Sequence, residues 1–206
     1  MPAAALSLTM FRGFLIAILA VAAAPAAAQA PPSPADYRGW IGSGNNRAQV
    51  RAYEGFLRRF GVLGVLPTQQ LLRTASAWRN CGAPFEVPPP GTWGRIVPSL
   101  RFIRDEVKPR IGPVEAVSGY RNPSLNRCAA GAPRSAHVGY WGLDLVPATS
   151  ITQAQLFNRL CALHRSITGR SARFGLGFYG GTRFHVDTKS HRLWGSNNRS
   201  GTSPCL

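Results

Sequence analysis

Apolar residues recur at helical spacing in several stretches of the chain. Val50, Tyr53, Leu57 and Phe60 fall on one face behind Asn46, a candidate N-cap, and Gly61 stands where a C-terminal cap belongs, so a first helix is expected there. Leu71, Leu72, Ala75 and Trp78 predict a second helix over 68–79; Leu100, Ile103 and Val107 predict a third over 98–107, ended by Pro109. A longer helix over 152–167 would bury Leu156, Leu160, Leu163 and Ile167. Elsewhere the period is two. Residues 114–117 read as a short strand, and over 141–146 Leu143 and Leu145 share one face while Asp144 takes the other. Glycine-punctuated strands follow over 175–179 and 183–188, with a return through Leu193 and Trp194. Helices and strands are interspersed without a regular βαβ repeat. The expected class is therefore α+β, a small antiparallel sheet with flanking helices.

The rest of the pattern sets boundaries. Residues 31–43 are rich in Pro, Ser and Gly and read as a lead-in hugging the surface or mobile. The run Val87-Pro88-Pro89-Pro90-Gly91 interrupts regular structure, which places a subdomain boundary near residue 90 and makes 29–90 a linker and N-terminal helical region. Nearer the start, Arg12 precedes an apolar run from Phe14 to Ala24, then Pro25 and Ala26-Ala27-Ala28. This is the layout of a cleaved signal peptide over 1–28, so the mature chain is expected to be periplasmic or secreted. The run falls short of the about 20 residues that cross a bilayer core of about 30 Å, and no later segment comes closer. No integral membrane segment is expected in the mature chain.

Charge and cysteine content narrow the partners. The formal net charge is +16, and loss of the leader removes one positive charge, Arg12. Such a field attracts polyanions, but an exported protein meets anionic cell wall or lipid rather than nucleic acid, so no nucleic-acid partner is expected. Among the 24 basic residues only Lys108 and Lys189 are lysine. Arginine grips carboxylates in a bidentate fork, which suits an acidic peptide or polymer; a GC-rich genome gives the same skew. Cys81, Cys128, Cys161 and Cys205 are an even set in an exported chain, so two disulfides are expected, with three pairings open. No CxxC pair is present to form a thiolate zinc site.

Candidate chemistry collects in the C-terminal part. His137, His164, His185 and His191 all lie there, and beyond Glu115 the only acidic residues are Asp144 and Asp187. Two histidines and a carboxylate are a known set of three protein ligands that leaves a fourth zinc position for water. His185 and Asp187 are two apart on a strand and share a face, so one can bind metal while the other addresses bound water.

The wider motif runs Ser118-Gly119-Tyr120-Arg121-Asn122-Pro123, Asn126, Gly131-Ala132, Ser135-x-His137-x6-Asp144, Gly175-x-Gly177-x-Tyr179, Phe184-His185-Val186-Asp187 and Arg192-x-Trp194. In order and content it resembles the zinc D-Ala-D-Ala carboxypeptidase family, with its related murein peptidases and its hedgehog/DD-peptidase fold. The resemblance spans about 98–195 and marks 91–206 as the corresponding domain. It implies Zn2+ held by His137, Asp144 and His185, with Ser135 and Arg121 lining the substrate site and Arg121 facing a peptide carboxylate or developing oxyanion. The implied partner is a peptidoglycan stem peptide and the implied activity a zinc metallopeptidase, carboxypeptidase or endopeptidase; a monomer is expected. The alternative is a non-catalytic zinc-containing cell-wall-binding module of the same fold. Two departures stand out. Tyr140 and Gly142 occupy positions where the family has glycine and alanine, and Thr182 stands where many relatives carry a carboxylate as general base. Asp187 is then the leading substitute base, or else a group that orients His185 or pairs Arg183 or Arg192.

Overall fold

A computed structural model of the chain describes Met1 and residues 30–206; the expected leader over 1–28 lies outside the described stretch save for Met1. The fold is α+β. Its centre is a five-stranded sheet of β1 (Val114–Ser118), β2 (Gly142–Pro147), β3 (Gly175–Phe178), β4 (Phe184–Asp187) and β5 (Arg192–Trp194), in the order β1-β2-β4-β3-β5. Four strands pair antiparallel as expected, whereas β5 runs parallel to β3, so the sheet is mixed. Leu143, Leu145, Leu176, Phe184 and Val186 face the core, and the intervening residues of β2 and β4 face the other way.

Helices flank this sheet. The expected lead-in instead forms α1 (Pro34–Ile41), because Ser33 and Asp36 make a capping box and Pro34 sits in the first turn. α2 (Asn46–Arg59) buries Val50, Tyr53 and Leu57, while Phe60, expected on the same face, ends up exposed just past the helix. The single helix expected over 68–79 is two short ones, α3 (Thr68–Leu71) and α4 (Trp78–Cys81). Between them the backbone is committed elsewhere: Leu72 and Pro84 carbonyls accept from Glu86 and Thr74, and the Arg73 carbonyl accepts from Gly119. α5 (Trp93–Phe102) carries Pro98 inside it and continues through a wider π turn (Ile103–Val107) into α6 (Lys108–Ile111), so Pro109 does not end it. The π turn accommodates a residue that lacks the N–H of an ordinary turn.

α7 (Pro123–Cys128) follows β1, capped by Asn122. The long helix is α8 (Gln153–Arg165), capped by Thr152; Ser166 then leaves helical geometry and caps a new α9 (Ile167–Ser171), which turns Ile167 out to solvent rather than into the core. One apolar cluster joins α2, α5, α8 and the sheet across the proline run. Two disulfides, Cys81–Cys128 and Cys161–Cys205, link α4 to α7 and α8 to the C-terminal segment. Among the described residues no helix is long and apolar enough to cross a membrane.

Candidate metal centre

Three strands bring the site together. Asp144 on β2 and Gly177 on β3 are both register partners of His185 on β4, and two residues along the same face Asp187 lies between Gly142 and Gly175. The glycines leave the polar face room. A Cβ at Gly142 would lie 2.5 Å from Asp187 Cβ and 2.8 Å from His185 Nε2, and one at Gly175 would lie 2.6 Å from Asp187 Oδ2. They therefore let the His185 ring and the Asp187 carboxylate lie down across the sheet. His137 comes from the loop after α7, and the turn that follows it leads directly into β2.

His137, Asp144 and His185 are all buried, and one ligand atom from each lies within 4.8 Å of the others. His137 Nδ1 is 2.6 Å from the Gly119 carbonyl, which can only accept, so that nitrogen carries the proton and Nε2 presents a lone pair to Asp144 Oδ1 at 3.1 Å. His185 Nε2 is 2.8 Å from Asp187 Oδ2, which places its lone pair on Nδ1, 2.9 Å from the same Asp144 oxygen. Burial and the nearby Arg121 guanidinium push the His137 imidazole down to about 4, so it is neutral at pH 7. Burial also opposes charge on His185, but hydrogen bonds that its ring N–H groups donate to the Asp144 and Asp187 carboxylates outweigh it and raise its pKa, so Nδ1 offers a lone pair to a metal once that nitrogen gives up its proton. At Asp144 burial favours the neutral acid, yet His137 and Arg183 prevail and hold the carboxyl well below its ordinary range. With His185 neutral, three acceptor atoms converge on one buried point. A shared cation relieves that convergence, and the group can hold a metal ion.

Each ligand is held from behind. Arg183 Nη2 donates to Asp144 Oδ2 at 2.6 Å and Tyr179 donates its hydroxyl to Oδ1 at 3.1 Å. Asp187 is fully buried on the side of His185 away from Asp144. Its Oδ2 also accepts from Arg192 at 2.6 Å, while its Oδ1 accepts from Arg192 at 3.1 Å and from the Lys189 backbone at 2.8 Å. With both oxygens engaged, it orients His185. The role of proton acceptor in an open site, expected of Asp187, does not fit that position.

The centre opens into a cleft of about 1200 Å³ lined by Arg121, Ser135, Tyr179, Arg183, Arg192 and Trp194, with Arg134 and Lys189. Arg121 and Ser135 both line this cleft. Arg121 is only 9 % exposed, and its buried Nε has no hydrogen-bond partner. Ser135 Oγ accepts from the His137 backbone at 3.2 Å. Trp194 sits at the rim, 5.0 Å from the His185 ring. Asp144 is the only carboxylate lining the cleft among the described residues. His164 and His191 stack on each other at 3.9 Å, and neither lines the cleft.

Tyr179 and Arg183 are the site residues that the sequence reading assigned no supporting role at Asp144. Arg183 had a signal, since 183, 185 and 187 alternate onto one face of an extended chain. Tyr179 had only its place in the glycine motif. No protein-family model, curated protein or solved structure matches this chain.

Proposed function

We propose that the protein is a zinc-dependent peptidase acting on peptidoglycan stem peptides, as a carboxypeptidase or endopeptidase. The observation that carries this reading is the convergence of His137 Nε2, His185 Nδ1 and Asp144 Oδ1 at the floor of a cleft whose charged side chains are otherwise cationic. Two imidazoles and a carboxylate suit zinc, whose ligands at about 2.0–2.1 Å in tetrahedral geometry stand about 3.3 Å apart. The separations of 3.1 and 2.9 Å from Asp144 Oδ1 are close to that spacing. Resemblance of the ordered motif over 98–195 to the zinc D-Ala-D-Ala carboxypeptidases supports the reaction class, and two disulfides suit an oxidising, extracytoplasmic setting.

When bound, zinc supplies Lewis acidity, polarising a carbonyl and lowering the pKa of water from about 15.7 to about 7. The protein's own groups do the rest. Arg121, whose side chain lines the cleft, receives a substrate carboxylate or the charge that develops on the attacked carbonyl oxygen. Arg183 and Tyr179 fix the Asp144 carboxylate, and Asp187 with Arg192 fixes the His185 tautomer. Stem peptides carry several carboxylates, which suits walls that present arginine and lysine.

A second reading, a zinc-containing wall-binding module without turnover, is favoured by one observation. Thr182 stands where relatives carry a base, and no carboxylate other than Asp144 lines the cleft among the described residues. Mass spectrometry of purified murein peptides incubated with zinc-loaded protein separates the two. Chelator-sensitive loss of a residue or of a cross-link is expected for the peptidase; binding with unchanged peptide masses would assign the module.

A further inference from the structure

Tyr140 stands in the turn between two of the three candidate ligands, His137 and Asp144, and its backbone is left-handed, with φ of 57°. A residue with a Cβ adopts that conformation less readily than glycine. Its side chain is fully buried, and its hydroxyl lies 2.5 Å from the hydroxyl of Tyr53, which is also fully buried. Tyr53 belongs to α2 in the N-terminal helical region, 87 residues away in sequence. The Tyr140 ring meets Tyr120 edge-on at 6.1 Å, next to Arg121, and the Tyr53 ring meets Trp93 of α5 at 5.4 Å. The turn itself is held by the Tyr140 N–H donating to the His137 carbonyl at 3.1 Å and the Trp141 N–H to the Ala136 carbonyl at 2.9 Å.

We infer that Tyr53 is a positioning residue of the metal centre: through the buried Tyr53–Tyr140 hydroxyl pair, α2 pins the turn that carries His137. A side chain at position 140 gives the turn an anchor that glycine lacks, and packing plus the hydroxyl pair offsets the left-handed backbone. Neither tyrosine lines the cleft, so their effect on metal passes through the turn. The consequence for metal rests on the reading of His137, Asp144 and His185 as ligands; the bracing of the turn does not.

The test compares Tyr53→Phe, Tyr140→Phe and the double variant with the parent, and with Leu57→Ala, a core truncation on the same helix. Hydrogen exchange is followed on metal-free protein and zinc release to a chelator on zinc-loaded protein. Tyr53→Phe and Tyr140→Phe should each speed exchange at the amides of Tyr140 and Trp141 while β2 and β4 keep their protection. They should speed zinc release by about 10-fold, the low end for groups that orient ligands. The double variant leaves no hydroxyl unpaired, so it should regain thermal stability relative to the single variants and still exchange and release zinc fast. Leu57→Ala should lower stability without singling out the turn. Exchange at Tyr140 and Trp141 unchanged in both single variants, or raised equally by Leu57→Ala, would overturn the inference. A parent that takes up no zinc would sink the metal reading instead, with the exchange comparison still deciding whether α2 braces the turn.

Discussion

Asp187 shows how much of the chemistry depends on where a side chain's lone pairs end up. Alternation along β4 puts it on the same face as His185, and from that alone a base and an orienting group are equally compatible. Depth separates them: Asp187 is fully buried and shares its oxygens among His185, Arg192 and the Lys189 backbone. Asp187→Asn should accordingly weaken zinc binding by about 10- to 100-fold, as loss of a ligand's orienting partner usually does. Competition with a chromophoric chelator measures this, and unchanged affinity with lost turnover would restore the base role to Asp187. At this scale His137, Asp144 and His185 were legible because their spacing carries a motif. Arg183 and Tyr179 were not read as supports of Asp144, because a hydrogen bond from the edge of one strand to the middle of another depends on strand order, which periodicity does not contain.

Element by element, the sequence pattern located β1, β2, β4 and α2 well and missed where local rules compete. Helical spacing ran through 68–79, yet the backbone of 72–74 is drawn into hydrogen bonds with 84–86 and Gly119, so the helix splits. Pro109 read as a stop, but a π turn carries the chain through it. At the end of α8, Ser166 proved a stronger signal than the apolar Ile167 because its hydroxyl caps α9. His164 lies on the buried face of α8 and packs there. Burial first, then the stacked His191 and Arg165, lower its pKa from 6.5 to about 4. The unfolded chain therefore takes up a proton there before the folded one. The associated stability is fully present above about pH 6.5 and is lost as the pH falls toward 4. Urea unfolding of His164→Gln across that window should show a shallower loss of stability on acidification than the parent; an equal slope would mean that His164 is not among the groups responsible.

Over the whole molecule, the net charge of +16 becomes informative only once its placement is known. Much of it is solvated arginine along α2 and α5, but Arg121, Arg134, Arg183, Lys189 and Arg192 gather around one cleft with Asp144 at its floor. The disulfide Cys81–Cys128 joins the helices next to two walls of that cleft, residues 75–77 and 129–136. Four cysteines foretold two disulfides, while the pairing depended on the fold. Whether the three converging atoms of His137, Asp144 and His185 hold a metal ion is decided by elemental analysis of protein never exposed to chelator. One zinc per chain is predicted for the parent and for His164→Gln, with His137→Ala and His185→Ala each losing it. A parent that holds no metal after equilibration with zinc, or His137→Ala and His185→Ala variants that hold as much as the parent, would contradict the account.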